Sequence, residues 1–336
     1  MIELKVAKGD EGQRLNKYLM KYLNKAPSSF IYKMLRKKNI VLNGKKANGN
    51  EIISSEDSVK LFLSDETIAS FREEKNKQTR RYVNKSIDSN LNCDIKVLYE
   101  NGDILVLHKP VGILSQKASE SDYSINDFVI EYYNMLKEKN NMLNNYFIPS
   151  ICNRLDRNTS GIIVAGLSQY GSQFLSKAMK ERSADKYYFT IVCGNFSKKM
   201  HIISYISKDE KNNISKVISQ NDYIELTEKL QQNYTKIETL FEPLSFNNRF
   251  TLLKIKLITG KSHQIRAHLK QMGYPIIGDK KYGDELVNRY VRDKYRLNNQ
   301  LLHSGILVLD NKEYKDPLPK LFKKICIDEG LDTNLV

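Results

Sequence analysis

One carboxylate in this chain stands where side chains could do chemistry. Asp156 lies between Arg154 and Arg157 in the stretch CNRLDRNTSGIIVAGLS, residues 152–168. Polar, turn-forming residues 153–160 run into the β-branched segment 161–167. The second half reads as a buried strand, so Asp156 is expected on a loop at its mouth. An Asp beside Arg residues is most often a surface ion pair, and such pairs are weak. A guanidinium close enough to keep the carboxyl ionised would instead make it a nucleophile or charge stabiliser, as in glycosyl transfer. No second carboxylate has an equally distinctive setting, which disfavours a two-carboxylate glycosidase.

Two further stretches carry candidate partners. KYYFTIVCG, residues 186–194, reads as a strand. Its period of two puts Tyr188, Thr190 and Val192 on one face. Leu253–Ile258 alternates, so it also reads as a strand. It leads into TGKSHQIRAHLKQMGYPIIGDKKYGD, residues 259–284. There Ser262 is a plausible cap, and Gly273 ends a helix whose apolar side holds Ile265, His268, Leu269 and Met272. On this reading His268 is a packed core histidine. His263 lies five residues before it and faces elsewhere, which argues against a metal pair. Arg266 falls off the apolar stripe, near the helix start.

These strings resemble the RluA-type pseudouridine synthases. N-R-L-D-R-N-T-S-G matches the family's R-L-D-x-x-T-S-G, whose catalytic Asp falls on Asp156. The family's K-x-Y-x-A-x-V-x-G places its active-site tyrosine on Tyr188. T-G-K-S-H-Q-I-R-A-H-L matches T-G-R-x-H-Q-[IL]-R-x-H-L, and the arginine that pairs with the Asp falls on Arg266. D-I-L-V-L-H-K-P-V-G, LLHSGILVL and DPLPKLF extend the match over residues 95–323. Asn153 replaces the usual His, Thr190 an Ala, Lys261 an Arg and Tyr274 a His. Lys at 261 offers only a point charge to phosphate.

The resemblance implies a reaction. The N1–C1′ bond of a uridine in RNA is cleaved, the base turns, and carbon 5 is rejoined to C1′. The target base must first be everted from its stack. Arg154 would fill the gap left behind, as the matching family arginine does; a phosphate or Asp-pairing role is its plainer reading. The implied fold is α+β, the pseudouridine synthase fold, with a large mixed, mainly antiparallel sheet and flanking helices. No cofactor and no metal are implied. The implied substrate is large-subunit (23S) ribosomal RNA. The alternatives are a tRNA-directed synthase, or a non-catalytic ribosome-assembly protein that binds RNA. Neither G-x-G-x-x-G nor G-x-x-x-x-G-K-[ST] occurs, which leaves a dehydrogenase or P-loop kinase without support.

Three segments must position these residues. Residues 1–64 contain two amphipathic helical patterns. Leu15, Tyr18, Leu19, Tyr22 and Leu23 share one face of the first, and Ser28 is placed to cap the second, 29–38. A hairpin turn follows at Asn43-Gly44. RLNKYL…IYKMLRKKNIVLNGKK resembles the small S4-like RNA-binding domain. Residues 65–92 read as a polar linker, with Arg80, Arg81 and Lys85 able to meet RNA. Residues 93–330 form the catalytic domain, with helices expected at 124–137 and 170–182. Residues 197–235 are polar and show little chemistry.

Composition agrees with an RNA partner. Lys+Arg is 54 against 39 Asp+Glu, a net charge of +15. That bias points to nucleic acid or an anionic surface. Lys33, Arg36, Lys37, Lys38, Lys109 and Lys261 are the expected RNA contacts, with Arg154. No apolar run nears the roughly 18 residues of a membrane span, and the N-terminus lacks a signal-peptide core. Cys93, Cys152, Cys193 and Cys326 are widely spaced, as in reduced thiols of a cytoplasmic protein. A monomer is expected.

Overall fold

The computed structural model describes residues 1–72, 94–139 and 147–334. Most of the expected linker, with Arg80, Arg81 and Lys85, lies outside the described residues, as does Cys93.

The N-terminal unit is a four-stranded antiparallel sheet with helices on one side. Strands β1 (Ile2–Lys5), β2 (Ile40–Leu42), β3 (Lys45–Lys46) and β4 (Ser58–Leu61) lie in the order β1-β4-β2-β3. The helix Leu15–Tyr22 buries Leu15, Tyr18, Leu19 and Tyr22, and Leu23 follows them into the core. The helix Ser28–Arg36 starts at its expected cap, one residue earlier than the expected 29. Pro27, with φ −65° and extended ψ, takes the N-cap position, so Ser28 is not the cap. Asn43 and Gly44 both have positive φ, 50° and 72°, as a type I′ hairpin turn requires. Residue 65 does not begin a structureless linker. Ser64 accepts a hydrogen bond from the Thr67 N–H and caps a helix, Asp65–Phe71, that lays Ile68 and Phe71 on this core.

The larger unit is built on an eleven-stranded sheet. Its path runs β11 (Ile214–Ile218), β10 (Met200–Asp209), β12 (Thr235–Phe246), β13 (Phe250–Leu257), β9 (Asp185–Cys193), β14 (Leu302–Leu309), β8 (Ser160–Gly166), β6 (Ile104–Lys109) and β5 (Lys96–Glu100). Two short strands, β7 (Ser150–Ile151) and β15 (Lys312–Lys315), pair with β8 and β14. The architecture is α+β, as expected. Helices Ile125–Lys139, Gln169–Glu181, Gln264–Gln271, Glu285–Tyr295 and Lys320–Asp328 pack around the sheet. Residues 197–235 supply β10, β11 and the turn-like helices Gln220–Ile224 and Glu228–Gln231. They looked featureless because these outer strands are only partly buried, which blurs the alternation.

Among the described residues, pairings between strands are antiparallel except β8 with β14, where His303 meets Ser160 and Ser304 meets Gly161. Gly161 has φ +120°, and a Cβ there would sit 2.2 Å from the Ser304 carbonyl oxygen. Only glycine permits this approach. The fully buried β8 is the strand read from 161–167. No helix of the described residues is long and apolar enough to cross a membrane.

Candidate active site

The loop ahead of β8 is held from three sides. Asn153 hydrogen-bonds along β8 itself: its Nδ2 donates to the Ile162 carbonyl (3.1 Å), and its Oδ1 accepts from Val164 N–H (2.8 Å). Asn, standing where the related motif has His, therefore makes a two-ended backbone clamp. Ser115 accepts from the Leu155 N–H (3.0 Å) and donates to the Leu155 carbonyl (2.7 Å). Lys109, at the end of β6, donates through Nζ to the carbonyls of Arg157 (2.8 Å), Thr159 (2.8 Å) and Pro110 (3.0 Å).

Lys109 is thus not the RNA contact expected from its charge. It is fully buried, and its amine ties one loop to another. Burial pulls that amine down to about 7, against the opposing pull of Asp156. Charge alone places a lysine at the surface, because unpaired lysines are rarely buried.

Asp156 faces the first turn of the helix Gln264–Gln271. Arg266 Nη1 donates to Asp156 Oδ2 at 2.9 Å. The other side of the same guanidinium is gripped by Asp279, Nε to Oδ2 at 2.7 Å and Nη2 to Oδ1 at 2.9 Å. Asp279 is fully buried, and its Oδ1 also accepts the N–H groups of Lys281 and Tyr282. Burial would lower the Arg266 pKa, but hydrogen bonding and charge from Asp279, then from Asp156, raise it above its ordinary value.

Ser262 does not cap this helix. His263 takes the N-cap position with left-handed backbone, φ 57°, and without a side-chain cap bond. The Gln264 side chain accepts from the Lys261 N–H instead (3.0 Å). That left-handed turn carries the His263 ring into the cleft. Its Nε2 lies 4.0 Å from Asp156 Oδ2, and its Nδ1 lies 3.0 Å from the Tyr282 hydroxyl. Burial, with the nearby Arg266 and Lys281, outweighs Asp156 and Asp279 and lowers the imidazole pKa below its ordinary value. His268 is the packed histidine its position predicts. It is fully buried beside Ser204 and Thr239, and burial takes it down to about 4.

Tyr188, Thr190 and Val192 are all buried, with Tyr188 and Val192 in the core on one side of the sheet and Phe189 and Ile191 in that on the other. Burial first, and the charge of Asp156 as well, push the Tyr188 phenol up to about 12 despite a hydrogen bond with Ser304.

Asp156, Tyr188, His263 and Arg266 line one cleft of about 920 Å³. Among the described residues, Asp156 is the single carboxylate on its wall; the other charged side chains there are Lys or Arg, including Arg154, Arg182, Lys261 and Lys280. Arg154 and Lys261 are exposed and line the cleft. Lys33, Arg36, Lys37 and Lys38 are exposed as well, but lie at the end of the N-terminal unit's second helix and do not line the cleft. Sequence reasoning brought Asp156, Tyr188 and Arg266 together and missed Asp279 and His263. The string GDKKYGD carried a signal for Asp279, since a Gly-Asp turn after an apolar pair is a natural place for a buried carboxylate to bind backbone N–H groups.

The family of RNA pseudouridylate synthases matches residues 103–271. The chain belongs to that family, and to the RluA type within it. It is an RNA pseudouridine synthase. It is 30% identical to an uncharacterized RNA pseudouridine synthase of Mycoplasma capricolum over 97% of each chain. It is 28% identical to the ribosomal large subunit pseudouridine synthase C of Buchnera aphidicola, over 98% of this chain and 93% of that one. With the ribosomal large subunit pseudouridine synthase D of Borreliella burgdorferi it shares 30% identity, over 90% of this chain and 86% of the other. In fold it is similar to human RNA pseudouridylate synthase domain containing 4, with a TM-score of 0.57 at 19% identity, covering 70% of this chain and 94% of that one.

Proposed function

We propose that this synthase converts uridine to pseudouridine in large-subunit ribosomal RNA, with Asp156 as the carboxylate that acts on the sugar. One observation carries the assignment: a lone carboxylate, hydrogen-bonded to a twice-anchored arginine, faces a cleft whose other charges are cationic. Such a wall attracts the phosphates of RNA while leaving one anion free for chemistry. Uridine enters everted. Tyr188 packs against the base, Arg266 holds Asp156 in line, and Arg154, exposed two residues before Asp156, occupies the vacated place in the stack. Lys261 meets phosphate at the rim. The N-terminal unit is S4-like, and its basic end, Lys33, Arg36, Lys37 and Lys38, holds RNA backbone at a distance from the cleft without reading sequence.

The ribosomal substrate is supported by the names of relatives that match across the N-terminal unit as well as the catalytic one. The test is to map pseudouridine across ribosomal RNA and tRNA in cells lacking the protein, then restore either the wild type or Asp156→Ala. Loss of specific ribosomal sites, regained with the wild type alone, is expected. Loss confined to tRNA would overturn the substrate, and full rescue by Asp156→Ala would overturn the role of Asp156.

A further inference from the structure

We propose that His303 is a positioning residue for this reaction: through its hydrogen bond with Ser160 it sets, from behind the sheet, where Asp156 stands relative to Tyr188. The inference rests on the reading of Asp156 given above and adds the device that holds that carboxylate in place.

His303 does not line the cleft. It is fully buried on β14, opposite Phe189 of β9, whereas Ser304 beside it is opposite Tyr188. Phe189 and Tyr188 pack in cores on different sides of the sheet, so the His303 ring lies on the face away from Tyr188. There it meets the parallel seam between β8 and β14. Backbone pairing at that seam covers two residue pairs, His303 with Ser160 and Ser304 with Gly161. So short a ladder has few backbone hydrogen bonds to fix its alignment. A side-chain bond crosses it, with Ser160 Oγ 2.9 Å from His303 Nδ1.

The direction of that bond follows from the other ring nitrogen. His303 Nε2 lies 3.0 Å from the Asp316 carbonyl oxygen, which can only accept. Nε2 therefore carries the hydrogen, Nδ1 keeps its lone pair, and the Ser160 hydroxyl donates to it. This arrangement needs a neutral ring. Burial holds its pKa below the ordinary value, against the hydrogen bond and charge of Asp316 and together with the charge of His108. Asp316 is itself held. Its N–H donates to the Gly305 carbonyl (2.8 Å), and its Oδ2 lies 2.5 Å from His108 Nδ1 on β6.

On the cleft side, Ser160 ends the turn that carries Asp156. The Thr159 N–H donates to the Asp156 carbonyl (3.1 Å), and the Thr159 hydroxyl accepts from Gln300 Nε2 (3.3 Å). The chain entering β14 is tied in turn to β9, where Thr190 Oγ1 donates to the Leu301 carbonyl (2.8 Å). A slide of β8 against β14 would therefore carry Asp156 away from Tyr188. The Ser160–His303 bond opposes that slide.

The experiment uses the full-length enzyme with unmodified transcripts of ribosomal RNA and tRNA. It measures single-turnover pseudouridine formation, RNA affinity and thermal melting. Ser160→Ala removes one buried hydroxyl. It is expected to slow the reaction by roughly tenfold or more, toward the 10²-fold that an ångström of misplacement can cost, with RNA affinity little changed. Two substitutions divide the bonds of the ring. His303→Asn keeps an oxygen near the place of Nδ1, able to accept from Ser160, and is expected to recover most of the rate. His303→Gln reaches Asp316 in place of Nε2, leaves Ser160 without its acceptor, and is expected to be as slow as Ser160→Ala. Combining Ser160→Ala with His303→Gln should add little, because each removes the same bond. Equal rates in folded His303→Asn and His303→Gln would overturn the proposal, as would losses that multiply in the double variant. A folded Ser160→Ala enzyme at the wild-type rate would overturn it alone, even if the variants at 303 fail to fold. A wild type that makes no pseudouridine in any of these RNAs would strike the functional reading itself, an outcome seen before any variant is compared.

Discussion

Asp279 and Arg266 form a two-point ion pair, Nε to Oδ2 and Nη2 to Oδ1, that leaves one face of the guanidinium, Nη1, for Asp156. Asp156 therefore has a partner whose orientation is set by a third residue.

Removing that third residue should be costly twice over. Asp279→Asn leaves a buried guanidinium short of a charge partner, and breaking a buried pair in this way costs about 3–5 kcal/mol. The same change lets Nη1 drift from Asp156, and an ångström of misplacement can cost roughly 10²-fold in rate. Urea denaturation and single-turnover pseudouridine formation measure the two losses separately. A stable, fully active Asp279→Asn enzyme would show that Arg266 needs no anchor.

Lys109→Met is expected to behave as a core lesion, though it removes a charge. Three carbonyls lose their donor, and each buried unsatisfied group costs about 1–3 kcal/mol. Denaturation midpoints should fall, with the loop around Asp156 becoming more accessible to protease. RNA affinity of the folded fraction should remain close to that of the wild type, because the amine never faced RNA.

Acid should destabilise the protein in part through His268. Its folded-state pKa of about 4 lies below the ordinary 6.5, so the unfolded chain binds more protons between those values. Stability from this group is complete above pH 6.5 and is lost as pH falls toward 4, by roughly 2–3 kcal/mol. Chemical denaturation at pH 7 and pH 4.5 should show a smaller drop in His268→Gln than in the wild type. An identical drop would assign acid sensitivity to other groups.

RNA affinity should fall steeply with salt, since each phosphate neutralised adds about 0.7–0.9 to the log–log slope. Lys261→Ala or Lys280→Ala, on the cleft wall, should each reduce the slope by about one. An unchanged slope would mean that the cleft wall is not the electrostatic contact.

Local pattern carried much of this structure. The faces of the first helix, the strand ahead of which Asp156 sits and the alternation around Tyr188 all follow from spacing, because a period of 3.6 or 2 reports burial directly. Arg266 shows where spacing fails. It sits off the apolar stripe, yet it is buried, because the compensating carboxylate lies thirteen residues further on, across a turn. Lys109 fails for the same reason: its acceptors are backbone carbonyls about fifty positions away. His263 was hidden by a backbone conformation that side-chain type does not announce. Buried polar groups depend on distant partners, and one-dimensional periodicity is blind to these.

The close parallel contact of β8 with β14 at Gly161 has a reach beyond its own few residues. Asp156 is delivered by the strands on one side of that seam, whereas Tyr188 and Arg266 come from the elements on the other. The reactive cluster is therefore a joint between two half-sheets, and its spacing reports how tightly they are closed. A methyl group at position 161, which would meet the Ser304 backbone, would act as a wedge that parts the carboxylate from its partners without touching any of them.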